Sequence, residues 1–220
     1  MTGSGAEGSG FEDRTQALFD WTSSHTREVT IGVAMVAVVV AASWLYSRTR
    51  VVRAENASKA LAGAENSIAA GNAKLAQSDL EKLVRTFDGT PAAKQGALLL
   101  AEVQYEQGRF QPGIDALKGL SSSSDRFLAA SAENLTGVGY EELGKFADAA
   151  QHYRLAADKA EYRADHDNYM ANAARAYTTG GNLAEAKRIW SLLAADPRGP
   201  VAAEARVRLG ELEATGATKG

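Results

Sequence analysis

Residues 134–160, NLTGVGYEELGKFADAAQHYRLAADKA, decide the fold. Both halves are rich in Ala, Leu, Glu and Gln, which favour helix, and the ELGKF between them sets Gly144 where the chain has to turn. Gly137 is a small residue where two helices approach, and Tyr140 follows three positions later as a wedge. Phe146, Ala149, Tyr153 and Ala156 then alternate large and small along the second half. Bulky knobs need holes opposite them if two helices are to pack at short distance. The stretch therefore reads as one antiparallel helical hairpin.

The pattern recurs on either side. Gly71, Gly108, Gly144 and Gly181 stand at intervals of 37, 36 and 37 residues. That is close to the roughly 34-residue period of the tetratricopeptide repeat, which the hairpin resembles. The preceding unit keeps Leu100, Ala101, Gly108, Phe110, Gly113 and Leu117 in the equivalent places, and the following one keeps Ala174, Tyr177, Gly181, Leu183, Ala186 and Trp190. Only the first is poor, with Ala64, Ser67, Ala73, Ala76 and Leu80 at those positions, as expected of a terminal unit with a neighbour on one side only. PVAAEARVRLGELEA, from Pro200, reads as a lone closing helix. The other breaks, such as FDGTP, SSSSD and DPRGP, leave helices of about 10 to 17 residues, and no hairpin turn flanked by alternating β-branched residues interrupts them.

Upstream, the 18 positions from Val29 to Tyr46 carry no charge. As helix they span roughly 27 Å, close to the ~30 Å of a hydrocarbon core. Trp44 and Tyr46 fall where an aromatic belt lies, with Arg48, Arg50 and Arg53 just beyond. Only Thr30 and Ser43 are polar, and both can bond back to helix carbonyls, whereas a core helix shows a polar face every turn. A cleavable signal needs a positive start, and the first 28 residues hold Glu7, Glu12, Asp13, Asp20 and Glu28 against Arg14 and Arg27. The reading is an uncleaved single-pass anchor. The expected fold class is all-α: an N-terminal transmembrane helix, then a tetratricopeptide-like α-solenoid of three to four helical hairpins with a closing C-terminal helix.

The expected organisation is a disordered Gly/Ser tail at 1–10, a juxtamembrane segment at 11–28, the anchor at 29–47, the repeat domain at 48–213 and a flexible tail at 214–220. In the juxtamembrane segment, Phe11, Leu18, Phe19 and Trp21 suit a short amphipathic helix at headgroup level, and an unstructured stub is the equal alternative. Beyond the anchor lie 22 of the 24 Lys and Arg and 22 of the 27 Asp and Glu, so the domain is electrically balanced and lacks a nucleic-acid footprint. With no cysteine there is no disulfide, thiolate metal site or cysteine nucleophile.

An acidic stub with ALFDW, one Gly-containing anchor ending in aromatic residues and Arg, and three to four such hairpins together resemble the ancillary subunit of the SecYEG translocon. The related tetratricopeptide domain of a cell-division coordinator belongs to the same resemblance. The resemblance implies a soluble domain in the periplasm near the channel exit, with translocon subunits, a membrane-anchored chaperone or isomerase, or nascent secreted chains as partners. It also implies an N-terminus inside the cell. The flanking charges oppose that, with Arg14 and Arg27 before the anchor and Arg48, Arg50, Arg53 and Lys59 after it. The excess is two charges, and export of a 28-residue tail with no signal of its own is uncommon, so the implied orientation is preferred. The alternative is a cytoplasmic scaffold tethered to the membrane, as in bacterial adaptors of envelope lipid regulation.

No catalytic motif accompanies His25, His152 and His166. Glu141 with Glu142, and Asp165 with Asp167, read as a solvated face or an inter-hairpin loop rather than an acid/base or metal site. No catalysis, cofactor or metal is expected. Function in such a solenoid comes from the concave surface lined by the first helix of each hairpin. The positions projected onto it are Glu102, Tyr105 and Glu106, then Asn134, Glu141 and Glu142, then Asn168, Arg175 and Thr179. That mixed, rather acidic groove suits a neutral or basic protein segment, and Arg175 alone does not make a carboxylate clamp. In the anchor, Gly32, Ala37, Ala41 and Ala42 are small, and Ala37 with Ala41 has the spacing that permits close helix contact.

Overall fold

The computed structural model describes residues 26–217. The expected tail at 1–10, residues 11–25 of the juxtamembrane segment and residues 218–220 lie outside the described residues. Among the described residues every regular element is helical. They are α1 (Thr26–Ala69), α2 (Ala73–Thr86), α3 (Pro91–Glu106), α4 (Phe110–Ala116), a 3-10 turn at Leu120–Ser122, α5 (Arg126–Glu142), α6 (Phe146–Lys159), α7 (Arg163–Thr179), α8 (Leu183–Ala194) and α9 (Ala202–Ala217). The chain divides into two units, Met1–Val52 and Arg53–Gly220.

In the first unit, residues 26–52 of α1 form a helix long and apolar enough to cross a membrane. Ile31, Val33, Val36, Val38, Val39, Val40 and Trp44 are all at least half exposed, so this stretch is no soluble core. Gly32 is half-buried, Ala37 and Ala41 are exposed, and a Cβ on Gly32 meets nothing within 4 Å. Thr30 Oγ1 donates to Thr26 O at 2.6 Å, which keeps its hydroxyl satisfied without water. Tyr46 is exposed, with the Arg50 guanidinium 5.1 Å from the centre of its ring.

The second unit is four hairpins and a closing helix. Residues 53–69 of α1 pair with α2, α3 with α4, α5 with α6 and α7 with α8; α9 packs on α8. The four turns are copies of one another. Gly71, Gly108, Gly144 and Gly181 have φ of 71°, 71°, 71° and 80°. Each glycine N–H donates to the carbonyl three residues back, and the next N–H reaches five back, as in Lys145 N to Tyr140 O at 2.9 Å and Asn182 N to Tyr177 O at 2.8 Å. These bonds satisfy carbonyls that a helix end leaves orphaned, and they need a residue at ease in the left-handed region. At the helix starts, Asn72, Thr90, Asp125 and Asn182 accept from the backbone N–H three residues on.

The first hairpin, weakest in sequence, is fully formed. Ala64, Ala76 and Leu80 have no exposed surface, and Ser67 at 8 % exposure donates to Gly63 O and Asp79 Oδ2, both at 3.2 Å. The second departs from the expected helix length, because α4 stops at Ala116. Pro112 and Gly113 are poor helix formers, and Gly119 at φ 87° takes the chain into the 3-10 turn. Leu117 remains buried at its C-cap.

Between the helices, large and small residues interlock as the repeat demands. A Cβ on Gly137 would lie 2.7 Å from two atoms of the Tyr153 ring. Ala149, Tyr153, Ala156 and Ala186 are buried, whereas Phe110, Tyr140, Phe146 and Tyr177 are half-buried and pack at the edges. The largest cluster runs through the last two hairpins, with Ile189 and Trp190 wholly enclosed and Val201 and Ala205 of the closing segment added. Ala57, Leu61, Leu80, Leu83, Leu100 and Val103 make a second cluster across the first two hairpins.

Candidate binding surface

The nine groove positions divide by what they touch. Glu102, Glu106, Glu142, Asn168 and Thr179 are exposed; Tyr105, Asn134, Glu141 and Arg175 are half-buried. Tyr105 packs between repeats rather than facing an open surface. A Cβ on Gly113 would collide with its ring and one on Gly139 would come within 2.5 Å of its hydroxyl oxygen, which donates to Leu135 O at 2.9 Å. Burial drives the Tyr105 phenol well above its ordinary pKa, so it stays a neutral donor. Glu141 accepts from Tyr153 Oη at 2.7 Å, which ties the surface edge of α5 to the core of its own hairpin.

From the third hairpin to the closing helix runs a polar ladder. Asn172 Nδ2 donates to Asn134 Oδ1 at 3.2 Å, and Arg175 Nη1 donates to Asn172 Oδ1 at 2.6 Å. Arg175 then forks onto Glu204 of α9, Nε to Oε1 at 2.9 Å and Nη2 to Oε2 at 2.6 Å. The hydrogen bond from Arg175 holds the Glu204 carboxyl below its usual range. Arg175 thus already grips a carboxylate of its own chain. Glu141, Arg175 and Thr179 meet around a cavity of about 450 Å³ that Trp190, Arg208 and Leu212 also line. Glu102 lines a separate cavity of about 510 Å³, with Leu98, Leu99 and Phe127. Glu106, Glu142 and Asn168 line neither.

His152 is partly packed: its side chain is 28 % exposed, its ring stacks on Tyr140 at 5.1 Å, and Nδ1 lies 2.7 Å from Glu133 Oε2. Glu133 is buried at 5 %. Burial pushes its carboxyl up, but hydrogen bonds from His152 and Ser121 and the charges of His152 and Lys159 outweigh that and leave it lowered. Asp165 and Asp167, expected on a loop or solvated face, lie on α7. Asp167 is buried and bonded by His166 Nδ1 at 2.9 Å, with Arg163 Nε at 3.6 Å. No group of three His, Cys, Asp or Glu that could hold a metal ion occurs among the described residues.

Glu204, Asn172 and Phe127 have no signal in the repeat pattern. Glu204 belongs to the closing helix, Phe127 precedes the motif of its hairpin, and Asn172 reads as a generic polar residue. Leu98 and Leu99 stand beside Leu100 in an apolar run, LLL, and nothing in the repeat pattern marks them out.

Successive antiparallel helical hairpins with matching glycine turns, closed by one more helix, define a tetratricopeptide-like α-solenoid. Residues 20–113 match a family described as tetratricopeptide repeat-like domain. Among solved structures, the chain is similar to a Podosopora anserina kinesin light chain with nearly identical TPR-like repeats, at TM-score 0.60 and 14 % identity over 75 % of this chain and 89 % of that one. A singly substituted form of those repeats gives 0.58 and 15 % over 75 % and 88 %. A tetratricopeptide repeat protein from Parabacteroides merdae gives 0.59 and 15 % over 73 % and 61 %. No curated protein matches the chain. At these identities the likeness is one of fold. Tetratricopeptide-like repeats suggest a protein–protein interaction scaffold.

Proposed function

We propose that the chain is a membrane-anchored interaction module, an accessory subunit at the secretion translocon that assists chaperone traffic in the periplasm. One observation carries the anchoring: the large apolar side chains from Ile31 to Tyr46 are exposed. Burying that run in lipid satisfies residues that otherwise face water. The resemblance in order and spacing supports the translocon assignment. The proposed partners are channel subunits, a periplasmic chaperone or isomerase, or nascent chains, without nucleic acid, metal or cofactor. The solenoid works by binding rather than catalysis.

A second reading is a tethered scaffold for envelope biogenesis or division, facing the cytoplasm. The cluster Arg48, Arg50, Arg53 and Lys59 favours it, because short flanks rich in Lys and Arg are retained inside. Single cysteines at Ser4 and at the exposed Ser122, in a chain with no native thiol, separate the two. Labelling of Ser122 alone by a membrane-impermeant reagent, together with cross-links to channel subunits, is the expected result. Labelling of Ser4 alone overturns the periplasmic reading.

A further inference from the structure

Three seams differ, those of the second hairpin with the third, the third with the fourth and the fourth with the closing helix, and the difference can be read by counting back from the turn glycines. Asn134 stands ten residues before Gly144, where it bonds Asn172 across the seam between the third and fourth hairpins. Arg175 stands six before Gly181, where it forks onto Glu204 across the seam with the closing helix. At the seam between the second and third hairpins the same two positions carry Leu98 and Glu102. Leu98 and Leu99 are half-buried there, and Phe127, in the first turn of α5, is 62 % exposed. Together they line the 510 Å³ cavity. No side chain of the described residues forms an ion pair with Glu102, or with Glu106 one turn along.

An open cavity with an apolar floor and an exposed ring at its lip is of the size that takes side chains of a bound segment. Burial and the neighbouring Glu106 raise the Glu102 acid above its ordinary range, as expected of a partly desolvated carboxylate short of a cation. Of the other charged groups at the cavity, the Asp125 carboxylate accepts from Leu128 N as a helix cap. Lys94 is eight residues before Glu102 on the same helix, about 12 Å along its axis. The balance at the Glu102 end is negative.

We infer that this seam docks an extended protein segment that inserts a bulky apolar side chain beside Leu98, Leu99 and Phe127 and sets an adjacent Lys or Arg against Glu102. The inserted cation completes at this seam the acid–base contact that Arg175 and Glu204 make at the C-terminal one. The inference rests on the reading of the solenoid as a protein-binding module, and it names the chemistry of what is bound.

The test uses the full chain in detergent micelles and a short, labelled Gly/Ser peptide with Phe-Arg at its centre, read by fluorescence anisotropy. Phe-Glu and Ala-Arg versions are the comparisons. The Phe-Arg peptide is expected to bind about tenfold tighter than either, since both the apolar contact and the charge-assisted bond contribute. Phe127→Ser and Glu102→Lys change exposed side chains and leave the fold intact; each weakens Phe-Arg binding, and Glu102→Lys reverses the preference toward Phe-Glu. Equal binding of the three peptides, or indifference to both variants, overturns the inference. Photo-cross-linkers at Phe127, Asn168 and Thr179 in native membranes keep the two levels apart. Protein adducts at Asn168 or Thr179 with no peptide selectivity defeat this site alone, whereas no adduct at any position defeats the interaction-module reading as well.

Discussion

Gly137→Ala probes the contact on which the repeat depends. In a helix interior the exchange alone contributes about 1 kcal/mol of stability, because Ala restricts the unfolded chain and Gly does not. Here the new methyl would sit 2.7 Å from two Tyr153 ring carbons, where a relaxed carbon contact needs about 3.5–4.0 Å. The ring has to retreat by roughly 1 Å, yet Tyr153 is 2 % exposed and its hydroxyl is held by Glu141 at 2.7 Å. Overpacking of this kind costs about 1–3 kcal/mol, and disturbing the hydrogen bond to the carboxylate adds about 1.5 kcal/mol. The net expectation is a loss of about 2 kcal/mol. At a urea slope of about 2 kcal/mol/M the midpoint falls by about 1 M, followed by far-UV circular dichroism of the full chain in detergent. Gly63→Ala is the control, since nothing lies within 4 Å of its Cβ, and it should gain about 0.5–1 kcal/mol. Adding Tyr153→Leu to Gly137→Ala should recover part of the loss as a coupling of about 1 kcal/mol. A Gly137→Ala chain as stable as the parent would refute the reasoning.

Two further outcomes concern charge. Glu133→Gln should cost about 1.5 kcal/mol at neutral pH by weakening the bond to His152. Because the folded Glu133 carboxyl is lowered, its stabilisation is present above the unfolded value and lost as pH falls through the folded one. The gap between parent and variant should therefore close below about pH 4.3, and a constant gap in urea midpoints across that range would contradict it. Arg175→Met removes the fork on Glu204; both side chains are partly exposed, so the loss is about 0.5–1 kcal/mol. It should appear as faster amide exchange in α9, with α5 and α6 unchanged, and uniform acceleration would speak against a local latch.

Much of the architecture was legible because hairpin repeats are local. Each of the turns at Gly71, Gly108, Gly144 and Gly181 is specified within about six residues by one glycine that tolerates positive φ. Gly137 and Tyr153 announce each other by size, and the apolar run of α1 announces itself by the lack of charge. The short α4 was less legible, since Pro112 and Gly113 fall inside an otherwise regular repeat. The contacts of the projected groove positions were not legible. Periodicity assigns a residue to a helix face but does not say what stands opposite it.

Tyr105 and Arg175 show where that limit lies. Both were projected onto the groove by position, yet Tyr105 fills the space left by Gly113 and Gly139, and Arg175 is held by Glu204, 29 residues further on. By itself the sequence determined the helices, their turns, the repeat and the apolar segment, all properties of spacing and composition along the chain. Only the tertiary structure decided which groove charges are already paired and which seam stays open, leaving Leu98, Leu99, Phe127 and Glu102 around a cavity. Those outcomes depend on contacts between separate helices, whose partners are selected by stacking geometry rather than by their neighbours in sequence.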